Sequence, residues 1–283
     1  MNIAVISPNS ENNGVSTLAG LLALEIGARG KKVCLTHTST KSPSLFQYFG
    51  LNDTEEDKTA NPARMIKMLK ENILKREDVR EYCKMVNSTV DVYSANDATF
   101  DKDDMVYALD YILKYFPHDF VVVDVDIRDP EDEAVKSTLK QSDFIILVVE
   151  QGAKEVIGFK GGFASLKKHI GNKPMMAVVQ KYSSVAGKVN DLAAMCGVKE
   201  LKKSSSWLSL RYNPYIVKYE MNGKLPALHR AMKTNDARII DISSDVKTIA
   251  NRIMKFKTAK RNGGIKPAEN TSEEVNEAEE KKE

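Results

Sequence analysis

The sequence predicts an α/β protein built on a doubly wound, mainly parallel β-sheet flanked by helices. Short apolar runs alternate with segments whose apolar residues recur at helical spacing, and this alternation continues to Lys257. The predicted strands are apolar at nearly every residue, which is typical of a parallel sheet covered by helices on both faces. We therefore expect one domain over residues 1–257 and a polar tail over residues 258–283.

Composition limits the protein class. The chain has 283 residues, 42% of them hydrophobic, enough for one sizeable core, and its net charge of +3 is too small to argue for nucleic-acid binding. No apolar run reaches the roughly 18 residues of a membrane span, and the N-terminus leads straight into a strand. Its cysteines are odd in number, with no pair at metal-ligand spacing, namely Cys34, Cys83 and Cys196. We expect a cytoplasmic protein with reduced thiols.

The N-terminal stretch predicts a strand, a loop and a helix in that order. Asn2–Ile6 is a short apolar run, Ser7–Gly14 is polar, and Ser16–Ala28 repeats apolar residues at helical spacing. The loop ends in Gly14, so a strand enters a helix that begins with hydroxyl side chains through a glycine turn. This is the geometry of a P-loop, and it makes the predicted sheet P-loop NTPase-like.

Further strands follow along the chain and carry one acidic position of interest. The predicted strands are Lys32–Thr36, Val90–Ala95, Phe120–Val123, Phe144–Val149 and Pro174–Val179. Ligands of open parallel sheets bind at the carboxyl ends of the strands. Asp124 directly follows such an end, so we expect it to lie where a Walker B carboxylate would.

The intervening segments predict helices. They are Ala63–Leu74, Asp78–Met85, Asp101–Tyr115, Glu155–His169, Val185–Cys196 and Ala237–Lys257. Asp101 is the expected N-cap of its helix. Phe46–Phe49 is a short aromatic turn, and Asn52–Asn61 is an acidic insert. From Thr258 onward the chain is Glu-rich and nearly free of apolar residues, which predicts a disordered charged tail.

The loop lacks part of the P-loop chemistry. The pattern Gly-x-x-x-x-Gly-Lys-Ser/Thr uses backbone N–H groups and a lysine for phosphate and a hydroxyl for Mg²⁺. Here its positions fall on Asn9, Gly14, Val15 and Ser16. A valine cannot donate to phosphate, so the group supplying most of the charge is absent. Ser16 and Asp124 remain as the residues that would hold Mg²⁺ if nucleotide binds.

The motifs together resemble a known family. They are Asn2–Ser7 with Gly14–Thr17, Gly30–Val33, His118–Asp124, Asp143–Val149, Tyr212–Val217 and Asn222–Lys224. In order and spacing they are similar to the ParA/MinD family of P-loop ATPases over residues 1–257. The resemblance implies a nucleotide site for ATP or ADP with Mg²⁺, and protein partners in a larger assembly.

Departures from that family concern the nucleotide site. Its signature lysine near the loop start falls on Ser10, and its aspartate after the second strand falls on His37, with Ser39 at the next acidic position. Its adenine-contacting asparagine falls on Gln180, followed by Lys181. The resemblance thus implies a degenerate nucleotide site, with weak or no binding and no catalytic residue, formed by Asn9, Ser10, Gly14, Val15, Ser16, Thr17, Gln180 and Lys181.

Several of these residues also have a purely structural interpretation. Gly14 is interpreted as a structural strand-to-helix turn rather than part of a hydrolytic site, because the lysine that carries much of the motif's specificity is absent. Ser16 is explained equally by a helix N-cap or by a Mg²⁺ ligand. Asp124 either caps the following turn or faces a polar cleft. His37 is interpreted as a solvated loop histidine rather than a general base, because no nucleophile lies beside it in the sequence.

The last predicted helix has two interpretations. Apolar residues recur at helical spacing with basic residues beside them, at Ile242, Val246, Ile249 and Ile253. The pattern is that of a basic amphipathic helix contacting the inner face of a membrane. It is also that of a core helix packing on the sheet, which we favour.

Two functional hypotheses follow. The first is a non-hydrolysing positioning or scaffold protein, nearest to the TadZ/CpaE branch that is linked to pilus and secretion machines. The second is an active ATPase for plasmid or chromosome partitioning or division-site placement, with Lys41 or Lys181 replacing the missing lysines. Loss of two lysines and an aspartate favours the first, and predicts that any homodimer forms independently of nucleotide. DNA binding through basic surface residues is a third hypothesis, with no strong signal.

Overall fold

The structure is a computed structural model. It describes residues 1–9, 14–39, 44–51, 62–76, 78–94, 101–234 and 236–261. Ser10, Lys41, the predicted acidic insert Asn52–Asn61 and residues 262–283 of the predicted tail lie outside these ranges.

The described residues form one eight-stranded sheet. Its strands are β1 (Asn2–Ile6), β2 (Val33–His37), β3 (Lys84–Met85), β4 (Val90–Val92), β5 (Phe120–Val125), β6 (Phe144–Glu150), β7 (Met175–Tyr182) and β8 (Trp207–Arg211). Their spatial order is β3-β4-β2-β5-β1-β6-β7-β8, and only β3 pairs antiparallel with its neighbour. The predicted doubly wound, mainly parallel sheet is therefore confirmed.

Helices cover both faces of the sheet. They are α1 (Val15–Gly27), α2 (Ser44–Phe49), α3 (Pro62–Lys70), α4 (Lys102–Tyr115), α5 (Glu133–Gln141), α6 (Ala153–Ile170), α7 (Val189–Cys196), α8 (Pro214–Met221), α9 (Leu225–Ala231) and α10 (Ile240–Arg261). Helices α3 to α7 bury apolar residues in one layer, and α1, α2 and α8 to α10 in the other.

Each central strand supplies residues to both apolar layers. In β1, Ala4 and Ile6 enter the layer under α3 to α7, whereas Ile3 and Val5 enter the layer under α1 and α10. Successive side chains of a strand point to opposite faces, so a strand covered on both sides must be apolar throughout. This is why the continuous apolar runs located the central strands.

Two segments differ from their predicted helices. Asp78–Met85 is a 3₁₀ helix over Asp78–Tyr82 followed by β3, because Lys84 and Met85 pair with β4 at the sheet edge. Val185–Cys196 is a 3₁₀ turn followed by α7. The break falls near Gly187, whose φ of 131° is accessible to glycine and interrupts any helix.

The shorter elements were predicted least well. Phe46–Phe49, expected as an aromatic turn, belongs to α2. Four elements were not predicted, namely the strand β8 and the helices α5, α8 and α9. In β8 only Trp207 and Leu210 are fully buried, so this edge strand lacks the apolar run that marks the central strands. The predicted N-cap Asp101 does cap α4, because its side chain accepts from the Asp104 N–H.

The apolar face of α10 lies in the core. Ile242, Val246, Ile249 and Ile253 are all 0% exposed, which leaves none of them for a membrane surface. The helix begins at Ile240 and continues to Arg261, a few residues beyond the predicted end at Lys257. Among the described helices, none is both long and apolar enough to cross a membrane. The three cysteines are also buried, as free thiols.

Candidate functional site

The carboxyl ends of three strands bring the candidate residues together. Strand β5 lies between β1 and β2, and Asp124 is in register with Val5 on one side and His37 on the other. The loop after β1 then leads through Gly14 into α1 at the same edge. The sheet therefore places Asp124 beside the P-loop-like turn, as the sequence predicts.

Gly14 makes the turn, and Gln180 fills the space above it. The φ of Gly14 is 69°, and a β-carbon there would lie 3.1 Å from Cδ of Gln180. Gln180 is buried, and its Nε2 donates to the Gly14 carbonyl oxygen at 2.9 Å. The side chain at the predicted adenine-contact position thus ties β7 to the start of α1.

Ser16 and Asp124 form a hydrogen-bonded pair. Asp124 is 7% exposed, and burial raises the pKa of its carboxyl to about 7, with the Ser16 hydrogen bond opposing the rise and Asp126 adding to it. Near neutral pH a large fraction of the carboxyl is therefore protonated.

Thr17 is bound by an acidic residue from the C-terminal part of the chain. Its Oγ1 donates to Oε1 of Glu220, which lies in the last turn of α8. Burial raises the pKa of Glu220, while the Thr17 hydrogen bond and the charge of Lys181 lower it. Val15, at the position of the P-loop lysine, packs against the apolar layer beneath α1.

The start of the loop is held by α6. Nδ2 of Asn9 donates to the Glu155 carbonyl oxygen at 2.5 Å. Gly158 and Gly162 present bare backbone to the loop, so that β-carbons there would lie 2.8 Å from Oδ1 of Asn9 and 2.0 Å from the Pro8 carbonyl oxygen, respectively. The side chain at the first glycine position of the P-loop pattern therefore binds the protein itself.

Lys181 is engaged by a neighbouring strand. Its Nζ lies 2.7 Å from Oε1 of Glu150, and its φ of 51° places it in the left-handed region. The side chain remains 51% exposed. The ion pair with Glu150 would have to break before Lys181 could take the place of the missing P-loop lysine. Lys41, the other candidate, lies outside the described residues.

His37 differs from its interpretation as a solvated loop residue. It is buried at the end of β2, with Nε2 2.6 Å from Oγ of Ser94, and burial lowers the pKa of the imidazole to about 4. The ring is therefore neutral at physiological pH. The sequence does not show this burial, because a polar residue after a short strand has the same local pattern whether a neighbouring strand covers it or solvent does.

A cavity of about 130 Å³ opens beside Asp126 at the same edge. Its two cationic side chains are each paired with a carboxylate of the wall, since Arg128 Nε lies 3.2 Å from Asp126 Oδ2 and Lys102 Nζ lies 3.7 Å from Asp132 Oδ2. Within the described ranges, no group of three or more histidine, cysteine or acidic side chains could hold a metal ion. The cavity has neither a surplus of cationic side chains for phosphate nor a ligand set for a metal.

The described residues do not fit a Mg²⁺-nucleotide. The position of the phosphate-binding lysine holds Val15, and the Thr17 hydroxyl binds Glu220. A carboxylate on the Thr17 hydroxyl would repel an incoming phosphate. Glu220 had no sequence signal, because it lies 203 residues from Thr17 along the chain.

The fold and the P-loop-like turn define a protein with the P-loop NTPase fold of the MinD and ParA ATPases. The structure resembles the septum site-determining protein MinD of Pyrococcus horikoshii, solved with Mg-ADP (TM-score 0.62, 17% identity, covering 92% of this chain and 98% of that one). It also resembles a chain of the Aquifex aeolicus MinC:MinD cell division complex (0.65, 15%, 90% and 95%). A third neighbour is a ParA family ATPase of Chlorobium tepidum (0.67, 11%, 88% and 98%).

Sequence comparisons add no nearer relative. No protein-family model matches the chain, and no curated protein sequence matches it significantly. At identities of 11–17% the structural likeness concerns the fold.

Proposed function

We propose that this chain is a ParA/MinD-like protein with a degenerate nucleotide site that serves as a non-hydrolysing positioning or scaffold protein. The observation that carries the proposal is Val15 at the position of the phosphate-binding lysine, packed against the core. Without that lysine the charge developing during phosphoryl transfer has no cationic partner at this position. The carboxyl group of Glu220 bound to Thr17 supports the same conclusion.

The cellular setting is inferred from a structural neighbour and from the motif pattern. One structural neighbour is a complex of MinD with a protein partner, MinC, which supports protein partners for this chain. The motif pattern is nearest to the TadZ/CpaE branch, so we assign it to a pilus, secretion or similar cell-surface machine. Contact with the inner face of the membrane would then be peripheral and would use residues other than the buried face of α10.

A steady-state ATPase assay tests the first half of the proposal. Removal of one electrostatic contributor to the transition state costs about 10²–10³ in rate, so we expect no turnover above background. The control is Asp124→Ala, because only activity that this variant abolishes belongs to the candidate site. Turnover typical of ParA or MinD ATPases and lost in Asp124→Ala would restore the active-ATPase hypothesis.

Light scattering after size exclusion tests the scaffold role. If the protein associates with itself, the contacts are constitutive, so the mass should be the same with and without Mg-ATP. A monomer that becomes a dimer only on adding nucleotide would overturn the proposal. In cells, a fluorescent fusion should keep its position when Asp124→Ala is introduced, whereas a nucleotide-driven switch would become diffuse.

A further inference from the structure

The first turn of α1 is surrounded by acidic groups that its own sequence does not supply. The turn begins Val15-Ser16-Thr17 and contains no acidic residue. A helix N-terminus carries partial positive charge and favours nearby anions. Here Asp124 from β5 and Glu220 from α8 reach this turn from elsewhere in the fold. The tertiary structure therefore supplies the anions for the start of α1.

Glu220 occupies a position that its own helix disfavours. It lies in the last turn of α8, where the partial charge of the helix is negative, and burial raises the pKa of its carboxyl. The interactions that favour its charge come from outside α8, namely the Thr17 hydroxyl and the charge of Lys181. The contact with α1 therefore explains a carboxylate at position 220, whereas helix formation in α8 does not.

Both ends of α8 are anchored. At the start, Asn213 accepts from the Tyr215 N–H at 2.9 Å and donates from Nδ2 to the Arg238 carbonyl oxygen at 2.7 Å. After the helix, the chain passes Gly50 so closely that a β-carbon on Gly50 would lie 2.6 Å from the Gly223 carbonyl oxygen. The carboxylate of Glu220 is thus held over Thr17 by packing on either side.

We infer that Glu220 is a built-in anion that occupies the Thr17 hydroxyl and excludes polyphosphate from the start of α1. This inference rests on the proposed function and extends it, because nucleotide exclusion then depends on an added charge as well as on missing lysines. The ligand class excluded is a nucleoside di- or triphosphate, or pyrophosphate, whose negative charge would be brought next to the carboxylate. A like charge at a binding site weakens the binding of an anion, and we expect a loss of affinity of about tenfold or more, which corresponds to about 1.4 kcal/mol or more.

Isothermal titration of the full chain with ATP and, separately, with pyrophosphate tests the inference. The variants are Glu220→Gln, which keeps an acceptor for Thr17 without the charge, and Glu220→Ala. The control is Glu200→Gln, which removes a carboxylate paired with Lys167 on another part of the surface. We expect both Glu220 variants to bind ATP at least tenfold more tightly than the wild type, and the control to match the wild type.

Equal ATP affinity in the wild type and in whichever Glu220 variants fold, including no binding in any of them, would overturn the inference. Thermal melting identifies the folded variants, and Glu220→Gln is the conservative substitution that keeps the test open if Glu220→Ala unfolds. The result is separable from the proposed function. ATP turnover by the wild type would overturn the proposed function, while the ratio of affinities between wild type and variant would still decide the role of Glu220.

Discussion

Gly162 lies so close to Pro8 that a β-carbon added to the glycine would sit 2.0 Å from the proline carbonyl oxygen. One helical turn earlier, a β-carbon on Gly158 would lie 2.8 Å from Oδ1 of the Asn9 side chain. The start of the loop after β1, at Pro8 and Asn9, therefore lies against α6.

We expect Gly162→Ala to destabilise the protein by about 1–3 kcal/mol, because the added methyl group must displace backbone and not a flexible side chain. The measurement is urea unfolding followed by circular dichroism. The matched control is Gly161→Ala. A β-carbon at this position would meet nothing within 4 Å. Because alanine is a better helix former than glycine, the free energy of unfolding of the control should increase by up to about 1 kcal/mol. Equal effects of the two substitutions would show that Pro8 does not pack against α6 at Gly162.

Asp124 should make stability fall as pH rises. Burial raises the pKa of its carboxyl to about 7 in the folded protein, from an ordinary value of 3.8. The folded state thus binds the proton more tightly than the unfolded state, and the contribution of Asp124 to the free energy of unfolding decreases between about pH 4 and pH 7. Asp124→Asn mimics the protonated form and lacks this dependence.

The free energy of unfolding of Asp124→Asn should therefore increase relative to that of the wild type as pH rises from 5 to 8. Urea unfolding at each pH measures both values. A difference between the two proteins that stays constant over this range would mean that the carboxyl ionises equally in both states.

Asp91 is expected to be a major contributor to stability. It is 0% exposed, its Oδ2 lies 2.7 Å from Arg80 Nε, and the same atom lies 2.8 Å from His118 Nε2. Although burial opposes ionisation, the hydrogen bonds from these two side chains lower the pKa of Asp91. Its contribution is therefore present above the ordinary carboxyl pKa and is lost as pH falls through the lowered value.

Asp91→Ala leaves the imidazole and the guanidinium without their acceptor, so we expect a loss of about 3–5 kcal/mol in thermal or urea unfolding. The exposed pair of Asp236 and Arg238 provides the comparison. Asp236→Ala should cost much less than Asp91→Ala, because solvent screens a surface pair. Similar losses in both variants would show that burial of Asp91 does not matter.

Two truncations define where the domain ends. Removal of residues 262–283 should leave the melting temperature unchanged, because that segment is Glu-rich and has few apolar residues to offset its ordering entropy. Removal from Thr258 onward also deletes Lys260, whose Nζ lies 2.5 Å from Asp143 Oδ1. It should lower stability by about 1 kcal/mol or less. A drop of several degrees in the shorter deletion would show that the tail packs on the domain.

The central strands were predictable because each is buried on both faces and therefore apolar along its length. Strands β1, β2, β5, β6 and β7 fall within a few residues of their predicted bounds. The edge strands β3 and β8 were not predicted, since they are short and partly exposed. Their pairing depends on the neighbouring strand and leaves no periodic pattern.

The candidate site was predictable in part. The order of strands and the carboxyl-end rule placed Asp124 next to the turn at Gly14, and the structure has that arrangement. The partners of these residues were not predictable. Gln180 reaches Gly14 across 166 positions, and such contacts depend on which helices and strands pack together.

The sequence by itself determined the fold class and the absence of a lysine at Val15, because strand periodicity and residue identity are local properties. Only the tertiary structure decided which residues surround the turn at Gly14. It placed Glu220 on Thr17, Gln180 on Gly14 and the bare backbone of α6 against Pro8. Hydrogen bonds and close packing need atoms within a few ångströms, and distant parts of a chain meet at that range only after the sheet and its two helical layers have formed.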